Sequence, residues 1–291
     1  MTKLYGAIEA GGTKFVCAVS DENLNILKRV KIPTTVPAET MAEVFKFFDE
    51  NPVVAMGIGS FGPIDVNRSS DTYGYITTTP KKGWANYNFL GDMKAHYDIP
   101  YVWTTDVNVA AYGELKKGSA QGKNSCVYLT VGTGVGGGGD VNGQLLEGFG
   151  HPEMGHIIMR RHPEDTYQGN CPYHHDCLEG LCAGPAVEGR AGGIKAFDIP
   201  KDAKDWEIEA YYLAQACVDY TVILSPEKII FGGGVSKQDQ LFPMIRKSFA
   251  EQMNGYLKTP DLDDYIVHVA LGDDAGITGC LLLAQEEAAK N

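Results

Sequence analysis

The run from Thr130 to Gly139 constrains the fold of this chain most, because six of its ten residues are glycine. A shorter glycine turn, Glu9 to Lys14, follows the first predicted strand. Phosphates bind where several backbone N–H groups converge, and glycine lets a chain turn tightly with no Cβ in the way. Two such turns, each near the start of one half of the chain, predict a nucleotide held between two related domains.

The second turn formally matches the dinucleotide fingerprint G-x-G-x-x-G through Gly132, Gly134 and Gly137, and Glu153 stands about where its ribose-binding acid would fall. That fingerprint must open a helix, whereas the pair Asn142-Gly143 is a strong hairpin signal. The glycines are therefore predicted to lie between strands. The P-loop pattern G-x-x-x-x-G-K-[ST] is absent as well. A purely structural hairpin is the alternative, and the repetition of the turn favours the phosphate role.

Composition and charge exclude several classes of partner. The chain has 291 residues, 44% hydrophobic and 21% charged, which is ordinary globular composition and long enough for two domains. Its net charge of −12 opposes binding to nucleic acid or to an anionic membrane. No run of 18 apolar residues exists, and residues 1–8 lead directly into a strand without the pattern of a signal segment. We expect a cytoplasmic protein with neither a nucleic-acid nor a membrane partner.

Seven cysteines fall into two groups. Five occur singly in apolar surroundings and are predicted to lie in the core: Cys17, Cys126, Cys182, Cys217 and Cys280. The other two belong to the pattern Cys171-x-x-His174-x-x-Cys177, which offers three nitrogen and sulfur donors within seven residues. In a reducing compartment this pattern favours zinc, and a disulfide between Cys171 and Cys177 is the alternative.

Alternating strand and helix patterns predict an α/β fold. In the first half they predict a hairpin over 3–10 and 14–20, strands at 26–32, 52–59 and 100–104, a helix over 38–50, a helix ending within 92–98 and a helix over 106–115. The second half restarts at Cys126 with strand, turn and strand, then helices at 184–191, 205–224 and 240–257, strands at 228–231 and 265–270, and a terminal helix over 273–290. Residues 118–123 are the best candidate linker.

Several motifs, in this order, resemble those of the ROK family of sugar kinases, and within it the short bacterial fructokinases. They occupy residues 9–14, 57–65, 105–108, 130–136, 151–156, 171–177 and 231–235, so that the resemblance extends from Gly6 to about Leu283. It implies two actin-like, ribonuclease-H-like α/β domains that flank an ATP cleft, in a homodimer. The expected domains are 1–117, to which the terminal helix 273–290 returns, and 118–272, which carries the zinc loop.

The resemblance makes Asp106 the general base that takes the proton of the sugar hydroxyl during phosphoryl transfer from ATP with Mg²⁺. The sequence itself places Asp106 where a strand gives way to a helix, at or near the N-cap. A plain N-cap role is the alternative. Glu9 stands where the family carries an aspartate, and if it helps to hold Mg²⁺, its longer side chain would shift the ion.

Glycines and nearby hydroxyl and amino groups are expected to bind the nucleotide. The residues expected around the phosphates are Gly11, Gly12, Thr13, Lys14, Gly132, Thr133, Gly134 and Gly136. Gly232, Gly233 and Gly234 follow a predicted strand, and would let the adenine and ribose approach the backbone. A loose turn is the alternative for these last three.

The resemblance also names groups for the sugar and the metal. Its sugar contacts are Thr105, Asp106, Glu153, His156 and Glu179. Thr105 replaces an asparagine that contacts a pyranose in the family, which weakens a glucose assignment. The family pattern makes His156 the fourth zinc ligand beside Cys171, His174 and Cys177, with His175, Asp176 and His151 as competitors. Four protein ligands leave no open position, so the zinc would be structural.

The leading hypothesis is ATP-dependent phosphorylation of a hexose, with fructose as acceptor and fructose 6-phosphate as product. A kinase for mannose, glucose or an N-acetylated hexose is the first alternative. A sugar-responsive repressor is the second, although it would need an added N-terminal helix-turn-helix segment. A zinc hydrolase is the last, and a closed four-ligand site would exclude it.

Overall fold

Strands and helices alternate along the chain in the computed structural model, which describes residues 3–290. The strands are β1 (Tyr5–Ala10), β2 (Lys14–Ser20), β3 (Ile26–Pro33), β4 (Ala55–Ser60), β5 (Tyr101–Thr105), β6 (Ser125–Val131), β7 (Val135–Val141), β8 (Gln144–Leu145), β9 (Ile229–Gly232) and β10 (Ile266–His268). The helices are α1 (Pro37–Glu50), α2 (Phe89–His96), α3 (Asp106–Lys117), α4 (Leu178–Cys182), α5 (Gly184–Arg190), α6 (Lys204–Leu224), α7 (Leu241–Met253), α8 (Leu262–Tyr265) and α9 (Ala275–Lys290).

The chain divides into two units. Among the described residues, unit 1 comprises 3–118, 145–152 and 273–290, and unit 2 comprises 119–144 and 153–272. Segment 145–152 therefore groups with unit 1, although its neighbours in sequence on both sides belong to unit 2. Within residues 3–290, no helix is both long and apolar enough to cross a bilayer.

Each unit contains one five-stranded sheet, and the two sheets have the same strand order. In unit 1 the order is β3-β2-β1-β4-β5, and in unit 2 it is β8-β7-β6-β9-β10. An antiparallel hairpin begins each sheet, β1 with β2 and β6 with β7, and parallel strands extend it from β1 and from β6. The predicted repetition of the strand-turn-strand theme is thus confirmed. Ligand sites are expected where parallel strands end at their carboxyl termini.

Helices cover both faces of the unit 1 sheet, which explains why its central strands are buried nearly throughout. Ile8 and Phe15 face the core that includes α1 and α2, whereas Ala7 and Val16 face the core that includes α3 and α9. α9 approaches α3 so closely that a Cβ on Gly279 would lie 1.8 Å from the carbonyl oxygen of Val109. Glycine is required there, because only a residue without a Cβ lets the terminal helix pack this closely against α3 of unit 1.

The core of unit 2 lies between its sheet and the long helix α6. Its largest fully buried members include Trp206, Tyr212 and Phe231. Truncating a buried Phe or Trp to alanine typically destabilises a protein by about 3–5 kcal/mol. The five cysteines predicted in the core are all buried and free, so that prediction is confirmed.

Most predicted elements are confirmed, including the hairpin turn at Asn142-Gly143, where both residues have positive φ (56° and 77°). Helix α7 ends at Met253, short of the predicted residue 257, because Asn254 adopts a left-handed conformation. The short helices α4 and α8 were not predicted, since four or five residues are too few to show a period.

Candidate functional site

Asp106 lies at the edge of the unit 1 sheet where β4 and β5 end. Ser60 pairs with Thr105 as the last residue of each strand, and Asp106 is the first residue of α3. Thr105 takes the N-cap position, because its hydroxyl accepts from Asn108 N at 3.1 Å. The half-buried carboxylate of Asp106 accepts from Val107 N at 2.9 Å. Thr105 therefore caps the helix, and Asp106 is held at its positive end.

Glu9, the penultimate residue of β1, lies close enough to Asp106 for the two carboxylates to repel each other. Burial, followed by the negative charge of Asp106, raises the pKa of Glu9 to about 7, while Arg29 and Lys14 oppose the shift. The carboxylate also lies against the first turn of α9, since a Cβ on Gly276 would be 2.6 Å from Glu9 Cδ. Two neighbouring carboxylates at one sheet edge are oxygen ligands of the kind that Mg²⁺ prefers.

The first glycine turn joins β1 to β2 at the same edge of the unit 1 sheet. Gly11 N donates to Lys14 O at 3.0 Å, and Thr34 Oγ1 donates to Gly11 O at 2.7 Å, which fixes the turn. Gly12, Thr13 and Lys14 are exposed. The turn therefore offers a hydroxyl, an ammonium group and backbone amides to solvent or to a ligand.

The second glycine turn joins β6 to β7 in unit 2. Gly132 N donates to Gly134 O at 2.9 Å, and Gly184 N, at the start of α5, donates to Gly132 O at 2.7 Å. Thr133 is exposed, whereas Gly136 lies within β7 opposite Thr130. The hairpin geometry excludes a dinucleotide fingerprint here, as the sequence predicted.

Gly232, Gly233 and Gly234 lie beside the second turn at the end of β9. A Cβ on Gly132 would have Gly234 N as its nearest neighbour, at 3.9 Å. Gly233 has a φ of +87°, a conformation that favours glycine. The structure thus brings two predicted nucleotide-binding segments of unit 2 together.

Glu179, on α4, connects the second turn with the cysteine loop. Its Oε2 accepts from Val135 N at 3.0 Å, and its Oε1 is 4.0 Å from Nε2 of His156. His156 ends a short 3₁₀ helix, Met154–His156, whose preceding residue is the exposed Glu153. The predicted sugar contacts of unit 2 therefore include one carboxylate already oriented by a backbone amide and facing an imidazole.

Four donors from the cysteine loop and the 3₁₀ helix converge in unit 2. The donor atoms of His156, Cys171, His174 and Cys177 all lie within 4.8 Å of one another. Cys171 Sγ is 3.8 Å from Nδ1 of both histidines, and Cys177 Sγ is 3.6 Å from His156 Nδ1. Zinc bonds of about 2.0–2.3 Å in a tetrahedron separate adjacent ligand atoms by about 3.3–3.8 Å. The residues present therefore fit zinc.

The competing ligands lie outside this cluster. Asp176 is 3.8 Å from Arg161, and His151 belongs to unit 1, where its Nε2 accepts from Ile64 N at 3.0 Å. His175 is not a member of the four-donor group. Cys171 and Cys177 are both free thiols, and burial raises the pKa of Cys177 to about 11. A bound cation would favour its thiolate form.

Sequence reasoning missed a hydrogen-bonded group next to Asp106. Asn108 Nδ2 donates to Thr104 Oγ1 at 3.0 Å, and Thr104 Oγ1 donates to Glu147 Oε1 at 2.9 Å. Burial raises the pKa of Glu147. The only available signal was Asn108 in the motif at 105–108, because nothing in the sequence shows that segment 145–152 packs against β5.

The chain is similar to known proteins along nearly its whole length. A family model described as "ROK family" matches residues 5–287. A fructokinase from Pediococcus pentosaceus is 55% identical over 282 residues, which cover 97% of this chain and 98% of that protein. A fructokinase from Streptococcus mutans is 48% identical over 296 residues and 100% of both chains. The structure of a ROK hexokinase from Thermus thermophilus matches with a TM-score of 0.80 at 26% identity, covering 100% of each chain.

Proposed function

Because this chain belongs to the ROK family and is an ATP-dependent sugar kinase, we propose that it transfers the γ-phosphoryl group of ATP to fructose and releases fructose 6-phosphate. One observation carries the proposal: in a chain 55% identical throughout to a fructokinase, Asp106 stands at the carboxyl edge of the unit 1 sheet beside Glu9. The fold and the chemistry of that edge suit phosphoryl transfer to an alcohol.

In this mechanism Asp106 accepts the proton of the attacking hydroxyl. The hydrogen bond from Val107 N and the positive end of α3 keep its carboxylate oriented. Mg²⁺, when bound, neutralises charge on the phosphates, and Glu9 would help to hold it. Like-charge repulsion between Glu9 and Asp106 is what a divalent cation would relieve.

The two glycine turns would bind the ATP phosphates through backbone amides. Thr13 and Lys14 add a hydroxyl and a positive charge in unit 1, and Thr133 adds a hydroxyl in unit 2. Gly232, Gly233 and Gly234 would accept the adenine and ribose, since glycine allows a close approach to the backbone. Preorganised donors of this kind supply most of the catalytic effect in phosphoryl transfer.

Glu153, His156 and Glu179 would bind the sugar hydroxyls, with Thr105 beside the base. We propose that a structural zinc ion, held by His156 Nδ1, Cys171, His174 and Cys177, orients the imidazole, so that Nε2 is directed toward Glu179 and the sugar. The zinc would take no part in the chemistry, because four protein ligands close its coordination shell.

Fructose is the proposed acceptor rather than glucose. The chain is 48–55% identical to two fructokinases and 26% identical to a hexokinase of the same family. Thr105 is shorter than the asparagine with which the family resemblance associates pyranose binding. A hydroxyl of the wrong configuration would leave a site carboxylate unpaired, at a cost of about 1–3 kcal/mol each.

We also propose that the protein is a homodimer, as the family resemblance implies. Several large apolar side chains are exposed in the single chain, among them Phe149 (100%), Phe197 (77%) and Ile223 (71%). Sedimentation equilibrium should give twice the chain mass of 31.5 kDa. A mass equal to one chain at micromolar concentration would exclude the dimer.

A coupled assay with Mg-ATP and a panel of hexoses tests the proposed function. We expect the highest kcat/KM with fructose, mannose second and glucose much lower. If glucose equals or exceeds fructose, the kinase stands but the fructose assignment fails. If fructose is not phosphorylated while another hexose is, that hexose replaces fructose as the acceptor.

A further inference from the structure

One buried arginine joins the two flanks of the cysteine loop, which carries three of the four proposed zinc ligands. The side chain of Arg190, at the end of α5, is only 5% exposed. Its Nη2 donates to the carbonyl oxygen of Leu181 at 2.5 Å, and its Nε is 3.4 Å from Asp165 Oδ1. Asp165 precedes the loop and Leu181 follows it, so a single guanidinium closes the base of the loop.

A second carboxylate and a tyrosine complete this buried network. Arg190 Nη1 is 3.3 Å from Oε2 of Glu209, which lies fully buried on α6. Tyr212 donates to the other oxygen of Asp165 at 2.8 Å. Only a planar, forked cation can reach a carbonyl and two carboxylates in different directions. A lysine at this position would therefore keep the charge but lose the bridge.

The network is connected to the proposed site through α4. This helix begins directly after Cys177, and its second residue is Glu179, whose carboxylate accepts from Val135 N. The bond from Arg190 to Leu181 therefore holds the end of a five-residue helix that starts at a proposed ligand. Small shifts of α4 would move Cys177 and Glu179 together.

We propose that Arg190 is a positioning residue for the zinc and sugar sites of unit 2. It acts through Leu181 and Asp165, and it sets both the retention of the metal and the affinity for the sugar. The inference rests on the proposed function, because it presupposes zinc at the four-donor cluster and a sugar contact at Glu179.

Arg190→Lys is the test variant, and Arg246→Lys is its matched control. Arg246, on α7, is also a unit 2 arginine that bridges a carbonyl and a carboxylate, at Ile266 O (2.9 Å) and Asp263 Oδ1 (2.6 Å). We expect Arg190→Lys to bind zinc about 10- to 100-fold more weakly, the usual effect of losing a residue that orients metal ligands, and therefore to release it faster to a chromophoric chelator. KM for fructose should rise about tenfold with kcat within a few-fold, and both quantities should stay unchanged in Arg246→Lys.

Folded Arg190→Lys protein with normal zinc release and normal KM would overturn this inference alone, provided that the wild type holds zinc and phosphorylates fructose. A wild type without zinc would overturn the proposed zinc site and this inference with it. Should Arg190→Lys fail to fold, Asp165→Asn provides the second variant, because it removes the charge of the carboxylate that pairs with Arg190, and the same two readouts are expected to shift in the same direction. If neither variant folds, the network serves global stability and the inference is wrong.

Discussion

The two sheets share one strand order, yet the polar groups at their edges are organised in opposite ways. In unit 1 two carboxylates, Glu9 and Asp106, share one edge, where burial and mutual repulsion raise the pKa of Glu9 to about 7. In unit 2 Glu179 accepts a hydrogen bond from a backbone N–H and faces an imidazole. Arg190 contacts the residues on both sides of the cysteine loop. Like-charge repulsion and a shifted pKa are typical of residues that react. Fully paired hydrogen-bonding groups are rigid and are typical of residues that bind a ligand. We infer that unit 1 supplies the general base and unit 2 supplies most of the contacts to the sugar.

The largest expected effect is on the unit 1 side. Asp106→Asn should lower kcat by about 10²–10⁴, the usual contribution of a positioned general base. The amide is nearly isosteric, so KM for fructose should change only a few-fold. Steady-state kinetics check this, with Asp98→Asn, an exposed aspartate just before β5, as the control that should behave like wild type. Turnover near the wild-type value in folded Asp106→Asn would refute the base assignment.

On the unit 2 side, Cys171→Ser should lose zinc and weaken sugar binding before it weakens the fold. We expect metal analysis to fall from one zinc per chain toward none, and KM for fructose to rise about 10- to 100-fold. The loop is a short segment outside the two hydrophobic cores, so the melting temperature should change little while zinc and sugar binding are lost. Cys217→Ala, which removes a buried thiol on α6, should keep its zinc. Absence of zinc from wild-type protein purified without chelator would refute the proposed zinc site.

Repulsion at the unit 1 edge should also appear as a dependence of stability on pH. Glu9 binds its proton more tightly in the folded state, with a pKa of about 7 against 4.5. The contribution of Glu9 to the free energy of unfolding is therefore fully present below pH 4.5 and is lost as the pH rises through about 7. In Mg²⁺-free buffer Glu9→Gln should remove this loss, on the order of 3 kcal/mol, from the free energy of unfolding. If urea denaturation gives the same pH dependence for Glu9→Gln and wild type, the folded state does not raise the pKa of Glu9.

Much of this molecule could be predicted from local patterns, and the rest depends on partners distant in sequence. Glycine turns and apolar periods predicted both hairpins and most helices, and the structure brings together the four residues expected at the metal. The pairing of Arg190 with Glu209 could not be predicted, because the sequence of a helix does not show which distant residue a charged side chain contacts. Segment 145–152 could not be assigned either, since its grouping with unit 1 rests on contacts such as His151 with Ile64, 87 residues apart. The roles of the site residues stay predictions until they are tested.

Calorimetry can measure fructose binding to Asp106→Asn and Glu179→Gln in parallel. This measurement tests whether unit 1 provides the general base while unit 2 provides most of the affinity for the sugar. We expect Asp106→Asn to bind fructose within a few-fold of wild type. Glu179→Gln loses charge at a carboxylate that accepts from Val135 N and faces His156, so its affinity should fall about 10- to 100-fold, the effect of weakening a charged hydrogen bond. Loss of fructose binding in Asp106→Asn together with normal binding in Glu179→Gln would show that unit 1, and not unit 2, provides most of the affinity for the sugar.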